Sequence, residues 1–137
     1  MQKPHGEKAS IEPMLSVRRG AKAVEFYKAA FGAQELFLIA SDTGEVVARL
    51  SAGGANFWVA DESPEHSNFS PESLRGGTVR LILIVDDPHA AFDRAVAAGA
   101  SVVRPVHDEH GWRIGRVVDP YGHHWEIGTP VRDSHPA

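Results

Sequence analysis

Apolar and polar positions alternate with period two over several short stretches and recur at helical spacing over two others, and this series of patterns occurs twice along the chain. From Ile11 to Val17, an extended chain puts Pro13, Leu15 and Val17 on one face and Glu12, Met14 and Ser16 on the other. Pro13 suits an edge strand or a strand start. Ala23, Val24, Tyr27, Ala30 and Phe31 then predict an amphipathic helix over 21–31, stopped by Gly32. Three strands are expected next, over 35–40, 45–52 and 55–60, separated by Asp42-Thr43-Gly44 and Gly53-Gly54. Residues 61–77 show neither period and contain Pro64, Pro71, Gly76 and Gly77, so a long linker or lid is expected there. The series then restarts: a strand over 78–86, a helix over 89–98 ended by Gly99, and strands over 102–106, 112–118 and 123–127.

The two series are offset by 68 residues, which pairs Val17 with Val85, Gly54 with Gly122, Glu12 with Arg80 and Trp58 with Glu126. The predicted class is α+β: tandem βαβββ modules over 11–60 and 78–131, joined by 61–77 and flanked by flexible tails at 1–10 and 132–137. Each module is too small to bury much surface alone, so the two are expected to share one continuous sheet.

The chemistry gathers at the closing stretch. Asp119-Pro120-Tyr121-Gly122 is turn-forming, and the strand after it points His124 and Glu126 to one face and His123, Trp125 and Ile127 to the other. Glu126 therefore sits on a polar face whose reverse is mostly apolar. His107 and His110 are three apart without a third ligand and read as surface-loop histidines. His123 supports the turn, and only His124 shares the face of Glu126. Ser16 lies on the face of Glu12 with no paired histidine. Trp112, beside Gly111, starts a strand and is either a strand anchor or part of the cavity roof.

Composition narrows the classes further. The 137 residues include no cysteine, which removes disulfides, thiolate metal sites and cysteine nucleophiles and fits a reducing cytoplasm. A net charge of −4 from interspersed residues leaves no basic block for nucleic acid or a membrane surface, and no run approaches a membrane span.

Three segments carry a resemblance: Val24-Glu25-Phe26-Tyr27-Lys28-Ala29-Ala30-Phe31-Gly32-Ala33, Trp58-Val59-Ala60-Asp61-Glu62, and Asp119 to Trp125. Within the doubled module they make the chain resemble the vicinal oxygen chelate superfamily of glyoxalase I, bleomycin-resistance proteins and extradiol dioxygenases, and within it the PhnB-like branch. The resemblance implies a curved mixed sheet around a cup-shaped cavity, enclosed by two half-cups and usually in a homodimer, with metal ligands on the first and last strands of each module. Carried over, those positions are Glu12, Trp58, Arg80 and Glu126. Trp58 offers only an N–H and Arg80 a permanent cation, so the expectation is that no metal or other cofactor binds.

Glu12, Arg80 and Glu126 then form either a structural ion-pair network or a site in which Glu126 or Glu12 acts as base and Arg80 holds an anion. If the Arg80–Glu126 pair is buried, losing Arg80 should cost about 2–5 kcal/mol. Trp58 is expected as a cavity wall. Arg80, Trp58, His124, Trp112 and Ser16 are the candidate ligand-binding residues. Three functions stay open: a metal-free small-molecule-binding protein that sequesters a toxin or metabolite, a divalent-metal lyase, isomerase or dioxygenase, and a metal-free enzyme with a carboxylate base.

Overall fold

The computed structural model describes residues 7–131. Its elements are β1 (Met14–Val17), α1 (Gly20–Phe31), β2 (Gln34–Ala40), β3 (Val46–Ala52), β4 (Ala55–Asp61), α2 (Pro71–Leu74), β5 (Arg80–Ile84), α3 (Pro88–Ala98), β6 (Ser101–Glu109), β7 (Trp112–Val118) and β8 (His124–Pro130). The predicted strand and helix order holds, and β7 has the expected bounds. Gly32 ends α1 in the left-handed region at φ 64°, where its N–H reaches the Tyr27 carbonyl. In α3, Asp87 caps the helix by accepting from the Ala90 N–H, with Pro88 in the first turn.

The strands form two four-stranded sheets, ordered β1-β4-β3-β2 and β5-β8-β7-β6, each with one parallel pair and two antiparallel pairs. The repeat extends to the register: Met14 stands beside Trp58 and, 68 residues on, Ile82 beside Glu126. Register shifts in β2 and β6 mark irregularities that bend an outer strand.

One expectation changes. The modules do not share a sheet; they share a core on the helix-covered sides of both sheets. Trp125 of β8 packs with its ring centroid 4.5 Å from Phe31, 5.6 Å from Tyr27 and 5.5 Å from Phe57, all first-module residues. This cluster of aromatic side chains joins the halves, because each large ring removes a large apolar area from water. Around this cluster lie Leu15, Val17, Val24, Leu50, Val59, Phe92, Val117 and Ile127, all buried.

The segment 61–77 also differs from an irregular linker. Asp61 completes β4, a 3₁₀ turn spans Pro64–His66, and Ser70 caps α2 by accepting from the Ser73 N–H. Glu62 fastens the segment by accepting from the Ser70 N–H and the Ser73 hydroxyl, each at 2.8 Å. Elements this short arise from local capping and leave no periodicity to read. The expected tails at 1–10 and 132–137 lie largely outside the described residues. Among the described residues, no helix is long and apolar enough to cross a membrane.

Candidate functional site

Because helices cover one side of each sheet, alternation turns the other side outward. On the first sheet that outward side carries Glu12, just before β1, with Trp58, Arg49 and Phe37. Glu12 accepts from Arg49 Nε at 2.9 Å, Arg49 Nη2 at 2.6 Å and Trp58 Nε1 at 2.9 Å. The bidentate Arg49 fork, with help from Trp58, holds the Glu12 carboxyl down at about 2 against desolvation that would raise it. Arg49 also lies 5.8 Å from the Trp58 ring centroid, and Phe37 meets that ring edge-on at 6.0 Å.

On the second sheet the outward side carries Arg80, His124, Glu126 and Arg116. Arg80 Nε donates to Glu126 Oε2 at 2.5 Å. Arg116 Nε donates to His124 Nδ1 at 3.1 Å, so the proton of the neutral ring resides on Nε2. Burial, and then the Arg116 charge, press the His124 pKa below its ordinary value. Two adjoining cavities have Arg80 and Arg116 in common. One, of about 430 Å³, also takes in Arg104, Val103, Ile114 and Glu126. The other, of about 260 Å³, is lined also by Phe69, Leu74, Val79 and His124.

The structure thus brings the candidates together in two groups. Glu12 meets Trp58, and Arg80 meets Glu126 with His124 beside them, but no hydrogen bond or ion pair joins the groups among the described residues. The Arg80–Glu126 contact is partly open, with the arginine side chain 53% exposed, so it is not a buried pair. Ser16 contributes its carbonyl, which accepts from His123 Nε2 at 2.9 Å and ties β1 to the second module. Trp112 opens β7 opposite Glu109 and Pro130 and lines neither of these two cavities.

The four positions that the resemblance implies for a metal do not suit a divalent ion. Trp58 presents an N–H that is already donated to Glu12, Arg80 is a cation, and both carboxylates are engaged by arginines. Among the described residues, no cluster of three or more His, Asp or Glu side chains could hold a metal.

Arg49 and Arg116 were not among the sequence candidates. Each lies directly across the ladder from the closing-strand position of its module, Arg49 opposite Trp58 and Arg116 opposite Glu126. The constant offset hides the match, since the chain between Arg116 and Glu126 is one residue longer. Alternation within β3 and β7, taken with strand pairing, carries the signal.

A glyoxalase-like domain family matches residues 14–128. An uncharacterized protein of Mycobacterium bovis is 39% identical over 129 residues, covering 90% of this chain and 85% of that protein. TioX from Micromonospora sp. ML1 superposes with a TM-score of 0.69 at 25% identity, covering 93% of this chain and all of that one. FosX, a fosfomycin resistance protein of Listeria monocytogenes, shares the fold with a TM-score of 0.70 at 14% identity, covering 92% of this chain and 96% of its own.

Proposed function

The chain belongs to the glyoxalase-like domain family, and from that premise we propose that it is a metal-free small-molecule-binding protein of the glyoxalase/bleomycin-resistance superfamily, acting as a homodimer. The observation that carries this reading is the pairing of both candidate metal carboxylates with arginines: Glu12 with Arg49, and Glu126 with Arg80. Carboxylates held this way anchor cations of the protein and leave no ligand set for an ion. The outward faces of the two sheets, one aromatic around Trp58 and one cationic around Arg116, supply the walls of a cup that sequesters a toxin or metabolite. The PhnB-like closing motif and the lack of cysteine support placement in that branch and in the cytoplasm.

A second reading is an enzyme in which Glu126 is the base. Arg80 takes only Oε2 of Glu126, and Glu126 lines the larger cavity of the second sheet. FosX of Listeria has been crystallised in complex with Mn(II), so in that protein this fold accommodates a metal ion.

Elemental analysis of purified protein, together with a thermal-shift screen of small molecules, tests the first reading. Protein free of stoichiometric zinc, nickel, iron and manganese, stabilised by at least one compound whose effect depends on Trp58, is the expected result. A transition metal ligated by Glu12 or Glu126 would overturn it.

A further inference from the structure

Four arginines stand on the outward sheet faces, and three of them, Arg49, Arg80 and Arg104, pair with a carboxylate: Glu12, Glu126 and Glu109 respectively. Among the described residues Arg116 has no carboxylate partner; its hydrogen bond goes to the neutral His124. Its position makes this costly. In the β6–β7 ladder Arg104 is directly opposite Arg116, and like charges facing each other across strands destabilise a sheet. The larger cavity on this face is lined by three guanidinium groups, Arg80, Arg104 and Arg116, and two carboxylates, Glu109 and Glu126, for a formal surplus of one positive charge with histidines counted neutral. The rest of the lining includes Val103 and Ile114, which are apolar.

We infer that this cavity binds a monocarboxylate carrying an apolar body, with Arg116 as the principal anion-holding residue and Arg80 its neighbour; this deepens the small-molecule reading above and rests on it. The hydrogen bond from Arg116 Nε to His124 fixes the plane of the guanidinium, and among the described residues its two Nη groups have no hydrogen-bond partner, which is the edge that a carboxylate takes with two parallel N–H bonds. Arg80 likewise spends only Nε on Glu126. One negative charge neutralises the surplus, whereas a phosphate dianion would replace it with an excess negative charge beside Glu126. The apolar lining receives the carbon body, and a cavity of about 430 Å³ accepts a ligand the size of an aromatic acid.

Titration calorimetry of the full chain at pH 7 with benzoate, its neutral isostere benzamide, and inorganic phosphate tests this. Benzoate should bind, benzamide and phosphate should bind at least about tenfold more weakly, and added salt should weaken benzoate but not benzamide. Arg116→Ala should lose about tenfold in benzoate affinity and Arg116→Lys should recover part of it, with circular dichroism confirming the fold. The wild-type comparison of benzoate with benzamide stands even if a variant fails to fold. Equal binding of benzoate and benzamide would overturn the inference and leave the small-molecule reading in place, as would tighter binding of phosphate. Absence of binding by all three overturns it too, and takes the broader reading with it only if the compound screen is also empty.

Discussion

Arg49 and Arg116 hold equivalent places in the two modules, each across the ladder from the closing-strand position, yet Arg49 is neutralised by Glu12 and Arg116 by no carboxylate among the described residues. The duplication has kept the guanidinium on both sheets and changed its partner. On the first sheet the arginine completes a closed contact of Glu12, Arg49 and Trp58. On the second it faces a cavity.

The closed contact makes stability depend on acid. Glu12 has a folded-state pKa of about 2, below its ordinary 4.5, so the contact stabilises fully above the ordinary value and is lost as pH falls toward 2. Urea midpoints measured from pH 6 to pH 2 should fall more steeply for the wild type than for Glu12→Gln, whose side chain does not titrate. Parallel curves would show that the Arg49 fork does not hold Glu12 in solution.

The Arg80–Glu126 pair should be worth less than its sequence positions suggest. With the arginine 53% and the glutamate 21% exposed, solvent screens the charges, and the coupling in a double-mutant cycle of Arg80→Ala and Glu126→Gln should be about 0.5–1 kcal/mol. The expected loss of 2–5 kcal/mol applied to a buried pair, and this one opens to a cavity. A coupling above about 2 kcal/mol by chemical denaturation would mean the pair is covered in solution.

Asp119 is the polar centre of the fold. It is buried, and its Oδ2 accepts from the Tyr27 hydroxyl at 2.5 Å and Trp125 Nε1 at 2.9 Å, while Oδ1 accepts from the N–H groups of Tyr121 and His123. The first contact spans the modules, since Tyr27 belongs to α1. Burial and the adjacent Asp119 charge push the Tyr27 hydroxyl well above its ordinary pKa, so it stays protonated and donates. Tyr27→Phe should cost about 1.5–3 kcal/mol, the worth of one hydrogen bond to a charged group. Asp119→Ala should cost more, on the order of 3–5 kcal/mol, because four donors lose their acceptor. Denaturant midpoints at unchanged slope check both, and a smaller loss for Asp119→Ala than for Tyr27→Phe would contradict this account.

Much of this was legible in the chain itself. Period-two alternation and Gly32 and Gly99 located the strands and helices, and the offset of 68 residues located the duplication, because register and side-chain face follow from local spacing. The Arg80–Glu126 contact followed from that offset taken together with the family resemblance, which places both residues at one pocket. What could not be read depends on contacts between distant segments. Trp125 alternates as an ordinary inward residue, and nothing in that pattern says it packs against Phe31 and Phe57 of the other module. Arg49 and Arg116 required knowing which strands are neighbours. The Asp119–Tyr27 bond joins residues 92 apart through the packed core.

The arrangement of sheets leads to the final expectation, a homodimer. The outward faces carry apolar side chains that no described part of the chain covers: Ile39 is 56% exposed on the first sheet, and Ile82 and Ile84 are 57% and 60% exposed on the second. Ile82 and Ile84 share the face of Arg80 by alternation, so the apolar strip borders the candidate cavity. Both faces belong to half-cups that point away from the shared core, and a second copy related by a twofold axis would cover both strips at once. Sedimentation equilibrium should show a dimer at micromolar concentration. Ile82→Asp should weaken it by at least about tenfold, since a carboxylate would be desolvated in the interface, while circular dichroism and the denaturant midpoint at low concentration stay close to the wild type. A wild-type monomer at tens of micromolar, or a dimer indifferent to Ile82→Asp, would show that these faces are not where two copies meet.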